Sequence, residues 1–140
     1  MPVRVETRGR SRALQALYAW DVRQDDSSLE RTATFVWDDL AIKPDERAFA
    51  EALIRIVAAE RRDIDEELAN VTTNWRIERL GHIERCVLRL ATAEFMQGGT
   101  PPRVVIQENV RLAERYGSSQ SARFVNGVLD ALARRMGRLS

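Results

Sequence analysis

The sequence predicts an all-α fold of six to seven helices, and three observations predict it. Every periodic run of apolar residues has the three-and-four spacing of a helix, and no segment alternates as a half-buried strand does. Between those runs fall clusters of Gly, Pro, Ser and Asp, at distances that suit short helix–helix connections. The 140 residues, 44% of them hydrophobic, suffice for a single domain with its own core.

Taken in order, residues 11–23 form an amphipathic helix with Leu14, Leu17 and Tyr18 on one face. Asp25-Asp26-Ser27-Ser28 is a polar turn, and a second helix runs from about Leu29 to Leu40. Pro44 suits the first turn of a third, long helix from about Asp45 to Asn70, striped by Phe49, Leu53, Ile56, Val57 and Ile64. Residues 71–81, with Trp75 and Gly81, read as a connector holding a helical turn. The next helix, from about His82 to Met96, groups Ile83, Val87 and Leu90. Gly98-Gly99-Thr100-Pro101-Pro102 is the strongest break in the chain. A fifth helix spans Arg103 to Tyr116 and stops at Gly117, a residue suited to the left-handed position after a helix. Ser118 to Ser121 offers N-caps for a last helix reaching about Met136. The break near 71–82 divides the chain into sub-bundles of about 8–70 and 75–138, whose small size suggests one packed domain over 1–140.

Several functions are excluded early. No apolar run approaches the eighteen or so residues that span a bilayer. The charged N-terminus is followed by no apolar core, so no secretory signal is expected. Cys86 is the one cysteine, which leaves no internal disulfide and no zinc cluster. A reduced, cytoplasmic protein is the simplest reading. His82 is the one histidine, so neither a Ser-His-Asp triad nor a two-histidine metal site can be assembled. No Gly-rich phosphate loop is present. Cys86 lies near the margin of the Ile83–Val87 stripe and reads as a half-buried packing thiol. Neither an enzyme nor a bound cofactor or metal is expected.

Charge points elsewhere. The net charge is +1, but residues 1–20 carry four arginines against Glu6, and residues 76–140 carry eleven bases against six acids. Residues 21–46 hold eight acids and three bases. Two basic ends folded together would attract a polyanion. Arginine supplies 21 of the 22 basic residues, a bias that a GC-rich genome would produce without any function.

The run Phe124-Val125-Asn126-Gly127-Val128-Leu129-Asp130 is the most informative. A glycine inside a helix costs about 1 kcal/mol relative to alanine. At 100° per residue, Val125, Val128, Leu129, Leu132 and Met136 form the core stripe. Phe124 lies at its margin, and Arg123 and Gly127 face away. An aromatic edge, a cation and bare backbone suit base stacking, phosphate contact and close approach. On this geometry alone, packing is the favoured role for Phe124, and Gly127 can serve a neighbouring helix or a ligand equally well. Arg8, Arg10 and Arg12 lead into a helix bearing Gln15, Tyr18 and Trp20, either a nucleic-acid pattern or a solvated terminus. Glu94 shares the stripe of Ile83, Val87 and Leu90; burial there demands a cation, and an arginine of the first helix is the expected partner. Glu84 lies on that stripe's flank, free to meet something outside.

Four stretches stand in order along the chain: Arg8-Gly9-Arg10-Ser11-Arg12-Ala13-Leu14-Gln15-Ala16-Leu17-Tyr18, Ile83-Glu84-Arg85-Cys86-Val87-Leu88-Arg89-Leu90-Ala91, Val105-Ile106-Gln107-Glu108-Asn109-Val110 through Leu112-Ala113, and Phe124 to Asp130. Together they resemble the NusB family of transcription antitermination factors. The resemblance covers nearly the whole chain. It implies two small helical bundles and a non-catalytic adaptor that binds single-stranded boxA RNA of ribosomal RNA transcripts. It also implies NusE, a ribosomal small-subunit protein, as partner within the RNA polymerase antitermination complex, with no membrane involved. By position, the resemblance gives Arg8, Arg10, Arg12, Tyr18, Gln120 and Phe124 as RNA-binding residues; Arg123 joins them on helical geometry, and Glu84 faces NusE. Three departures stand out: Gln107-Glu108-Asn109 replaces the family's Asn-Glu-Ala, Ala93 replaces an aromatic, and Gly9 interrupts the arginine run. The alternative from outside the family's activity is a helical scaffold, or a homodimer, with weak or no RNA binding.

Overall fold

The computed structural model describes residues 3–72 and 76–140, and Trp75 of the expected connector lies outside them. The described chain is six α-helices and one 3₁₀ turn, without strands: α1 (Val3–Arg23), α2 (Leu29–Leu40), α3 (Pro44–Val71), the turn Ile77–Arg79, α4 (His82–Gln97), α5 (Pro102–Tyr116) and α6 (Ser119–Arg135). Helices α2 to α6 fall where apolar spacing puts them, with ends shifted by one or two residues. Their caps follow from residue chemistry. Ser28 accepts from the Arg31 amide to start α2, and Ser118 accepts from the Ser121 amide to start α6. Pro44 occupies the first turn of α3, where its missing N–H costs nothing. That helix is not straight, because Glu60 departs from helical geometry (φ −115°, ψ 19°).

Two local expectations need correcting. α1 starts eight residues before the predicted position, because the face it buries there is polar and carries no apolar stripe to read. Gly117, expected in the left-handed region, adopts φ −116°. It is glycine for lack of room: a Cβ there would lie 2.7 Å from the Ala113 carbonyl oxygen and 2.8 Å from Ser121 Oγ.

Helix α4 is the axis of the molecule, and every residue from Arg85 to Phe95 is buried. A helix covered all round must satisfy its polar groups internally. Thr92 donates to the Leu88 carbonyl, and Arg85, Arg89 and Glu94 are all paired. α1 and α3 flank α4 on one side, with α2 packed across α1 and α3; α5 and α6 form a hairpin on the other side. The buried side chains make one continuous core from Leu14, Leu17 and Trp37 through Leu53, Ile64 and Leu88 to Leu112 and Leu129. Each large aliphatic contributes about 1.5–3 kcal/mol by leaving water. Cys86 belongs to this core, fully buried rather than half-buried. Burial and the charge of Asp21 push its thiol well above the ordinary range, so it is an inert packing group. No helix among the described residues is long and apolar enough to cross a membrane.

Candidate RNA-binding surface

The arginine-rich start of α1 divides by helical phase into an inward and an outward set. Arg10 points inward and is 2% exposed. Its Nε and Nη2 donate to Glu94 at 2.9 and 2.5 Å, and its Nη1 donates to Glu108 at 3.1 Å. The Phe49 ring lies 5.1 Å from its guanidinium carbon. Burial alone would lower the pKa of Arg10, but the hydrogen bond and charge of Glu94, with Glu108 and Glu6, outweigh it and hold the group charged. Arg10 therefore leaves the set of RNA contacts: its donors are spent on two buried carboxylates. It is the α1 arginine that Glu94 requires. Gly9 has an equally local reason. A Cβ there would fall 2.7 Å from Phe49 Cδ1, so the bare backbone lets α1 close onto α3.

Arg8 and Arg12 face outward. Arg8 Nη1 is 3.7 Å from Glu46 Oε2 with its side chain half exposed, and Arg12 Nε is 3.5 Å from Glu46 Oε1. Exposed Arg8 and partly exposed Arg12, whose Nη1 also donates to Gln15, share one carboxylate, which leaves a net positive charge there. Further along α1, Tyr18 is exposed and stands edge-on to the His82 ring, centroids 5.9 Å apart at 77°. Tyr18 lies roughly 9 Å along the helix axis from Arg12, at 1.5 Å per residue.

Beneath Tyr18 lies a buried charge network that fixes where α1 and α4 meet. Asp21 accepts from Arg85 Nη2 at 2.5 Å, from Arg89 Nη1 at 3.2 Å, and faces His82 Nδ1 at 2.6 Å. Arg89 also forms a two-pronged pair with Asp65 of α3, at 2.9 and 3.0 Å. Burial would raise the pKa of Asp21, but hydrogen bonds from Arg85 and His82 and the charges of Arg85 and Arg89 dominate and hold it below the usual carboxylate value. The sequence reading overlooked Asp21 and His82. The signal was present: Asp21 follows Tyr18 by three residues, and His82 precedes Glu84 by two.

Two helix starts are joined beside this network. Glu84, in the first turn of α4, bends back over Gly81 and accepts a hydrogen bond from Ser121 Oγ in the first turn of α6. One carboxylate thus sits where two helix N-termini present unpaired amides and partial positive charge. Its side chain is partly exposed, so an outer edge is left for a partner. The tie sets the start of α6, where Gln120 and Arg123 are exposed and Phe124 is half buried against the core. Gly127 is exposed, and a Cβ there would meet nothing within 4 Å. Among the described residues, no neighbouring helix explains this glycine. Of the predicted residues, Tyr18 touches His82 at the start of α4, and Glu84, two residues on, ties to Ser121 in the segment of α6 that carries Gln120, Arg123 and Phe124. Arg8 and Arg12 stand on the side of α1 that meets Glu46 of α3, roughly 80° and 120° around the helix from Tyr18, and Arg10 is withdrawn from the surface.

The model of the NusB family matches residues 7–134. The transcription antitermination protein NusB of Anaeromyxobacter dehalogenans is 46% identical over 132 residues, 91% of this chain and 89% of the relative. The chain belongs to the NusB family. The NusB of Sorangium cellulosum is 42% identical, with 94% of this chain and 93% of the relative covered. Among solved structures, T. maritima NusB is similar at a TM-score of 0.84 and 32% identity, over 92% of this chain and 90% of that one. A crystal structure of the antitermination factors NusB and NusE in complex with dsRNA contains a chain similar at 0.82 and 30% identity, over 94% of this chain and 98% of that one. The NusB fold is therefore shared over more than nine-tenths of the chain. The family's curated relatives are transcription antitermination proteins.

Proposed function

We propose that this protein is a non-catalytic antitermination adaptor that binds boxA RNA of ribosomal RNA transcripts together with NusE. It acts in the cytoplasm, where bacterial transcripts are made. The observation that carries the reading is the joining of Tyr18 to the first turn of α6 through His82, Glu84 and Ser121, in a chain of the NusB family. Tyr18 and the exposed edge of Phe124 are platforms for unpaired bases; Arg8, Arg12 and Arg123 neutralise phosphates. Gln120 offers amide hydrogen bonds beside them, and the outer edge of Glu84 faces NusE. A solved structure holding NusB and NusE with RNA supports this assignment of partners.

The test is a mobility shift with a boxA oligonucleotide and a scrambled control, each with and without NusE. A boxA-selective shift strengthened by NusE is expected. Equal retardation of both oligonucleotides would overturn the reading. Light scattering that shows a dimer unaffected by RNA would favour the scaffold instead.

A further inference from the structure

His82, the chain's one histidine, stands inside this surface and is held like a working group rather than a packing one. Its Nδ1 lies 2.6 Å from Asp21 Oδ2, too close for two lone pairs to face each other, so Nδ1 carries the proton and donates. Arg85 Nη2 lies 3.0 Å from the same nitrogen but donates to Asp21 Oδ2 at 2.5 Å, so it makes no hydrogen bond to the ring. The other charged groups around the ring are Arg89, behind Asp21, and Glu84, two residues along α4 and turned toward Gly81 and Ser121. Tyr18 packs edge-on against the ring. An imidazole oriented through one nitrogen presents the other in a fixed direction, as in metal and catalytic sites. Its side chain is 40% exposed, and Nε2 has no protein partner among the described residues.

The bland explanation is that His82 serves to satisfy Asp21. That carboxylate already accepts from Arg85 Nε and Nη2 and from Arg89 Nη1, so it needs no histidine. We propose that His82 Nε2 binds the ribose–phosphate backbone of the nucleotide stacked on Tyr18. A neutral ring accepts a hydrogen bond from a ribose 2′-hydroxyl, and a protonated ring donates one to a phosphate oxygen. The inference rests on the RNA-binding reading above and deepens it.

Having a single histidine makes the test clean. Protein labelled with ¹⁵N-histidine gives one pair of imidazole nitrogen resonances, followed while the boxA oligonucleotide is added. The Nε2 resonance should shift on saturation while Nδ1, locked to Asp21, moves little. His82→Phe keeps an aromatic edge against Tyr18 and removes the nitrogen. It should weaken boxA binding about five- to tenfold, the loss of one hydrogen bond, with helicity unchanged. An unmoved Nε2 in a saturated complex, or wild-type affinity in a folded His82→Phe, would overturn the proposal while the RNA-binding reading stands. Should wild type and Tyr18→Ala bind boxA and scrambled RNA alike, the underlying reading fails, and this one with it.

Discussion

Replacing Gly127 with alanine should make the protein more stable and a poorer RNA binder. The stabilising part follows from two facts. Gly127 lies in the interior of α6, which runs from Ser119 to Arg135, and a Cβ added there meets nothing within 4 Å. With no clash to offset it, the full helix-propensity difference of about 1 kcal/mol should appear as stability. For a domain of this size that raises Tm by roughly 3–5 °C. Urea unfolding followed by circular dichroism measures it, and the slope against urea should not change. The binding part follows from the cost itself, retained on an exposed face between Arg123 and Asp130 where no helix packs. RNA passing over the bare backbone would be held off by a methyl group, so affinity should fall about threefold or more, the loss of a few close atomic contacts. A destabilised Gly127→Ala would refute the claim that this surface is open. A stabilised variant with unchanged RNA affinity would refute the claim that RNA approaches there.

Three further outcomes follow. Arg10→Met should destabilise the fold by about 3–5 kcal/mol in urea melts, because Glu94 and Glu108 are left buried without their cation; a loss under 1 kcal/mol would contradict the pairing described. Asp21 has a folded pKa below its unfolded value of 3.8, so its stabilising contribution is full above that pH and is lost as pH falls through the folded value. Asp21→Asn should therefore lower Tm at pH 7 and flatten the acid side of the stability curve, and an unchanged acid limb would count against the network. Replacing Arg8 and Arg12 with glutamine should reduce the slope of log affinity against log salt by about 1.4, from roughly 0.7 per phosphate on a single strand. An unchanged slope in filter-binding titrations would make that end of α1 a bystander.

How much was legible follows from what kind of face each helix buries. α2, α5 and α6 carry apolar stripes and start after Ser28, at Pro102 and after Ser118, so spacing and punctuation place them, although α5 also buries Glu108 and Asn109. The start of α1 buries Thr7, Gly9 and Arg10 against Glu108, Phe49 and Glu94, a set with no apolar period. A buried arginine and a surface arginine look the same in a one-dimensional pattern, which is why Arg10 reads as an RNA contact until its partners are seen. The demand was nonetheless visible from the other side, since Glu94 on an apolar stripe called for an arginine from α1. α4 reads as a striped helix although it is buried all round, because Arg85, Arg89, Thr92 and Glu94 break its apolar pattern while being neutralised in space. The departure at Asn109 falls in the same polar interior, where Asn109 donates to the Val105 carbonyl beside Glu108, which receives Arg10. The Glu84–Ser121 tie was out of reach, since it joins residues 37 apart whose helix starts meet only in the fold.

The central claim is that the edge of Phe124 left open by the core is a stacking platform for RNA. The direct measurement is the affinity of Phe124→Ala for a boxA oligonucleotide in the presence of NusE, beside a circular dichroism spectrum showing α6 intact. Loss of one platform predicts a weakening of about 1–3 kcal/mol, roughly five- to 150-fold. Wild-type affinity in a folded Phe124→Ala would contradict the account and return this phenylalanine to the core.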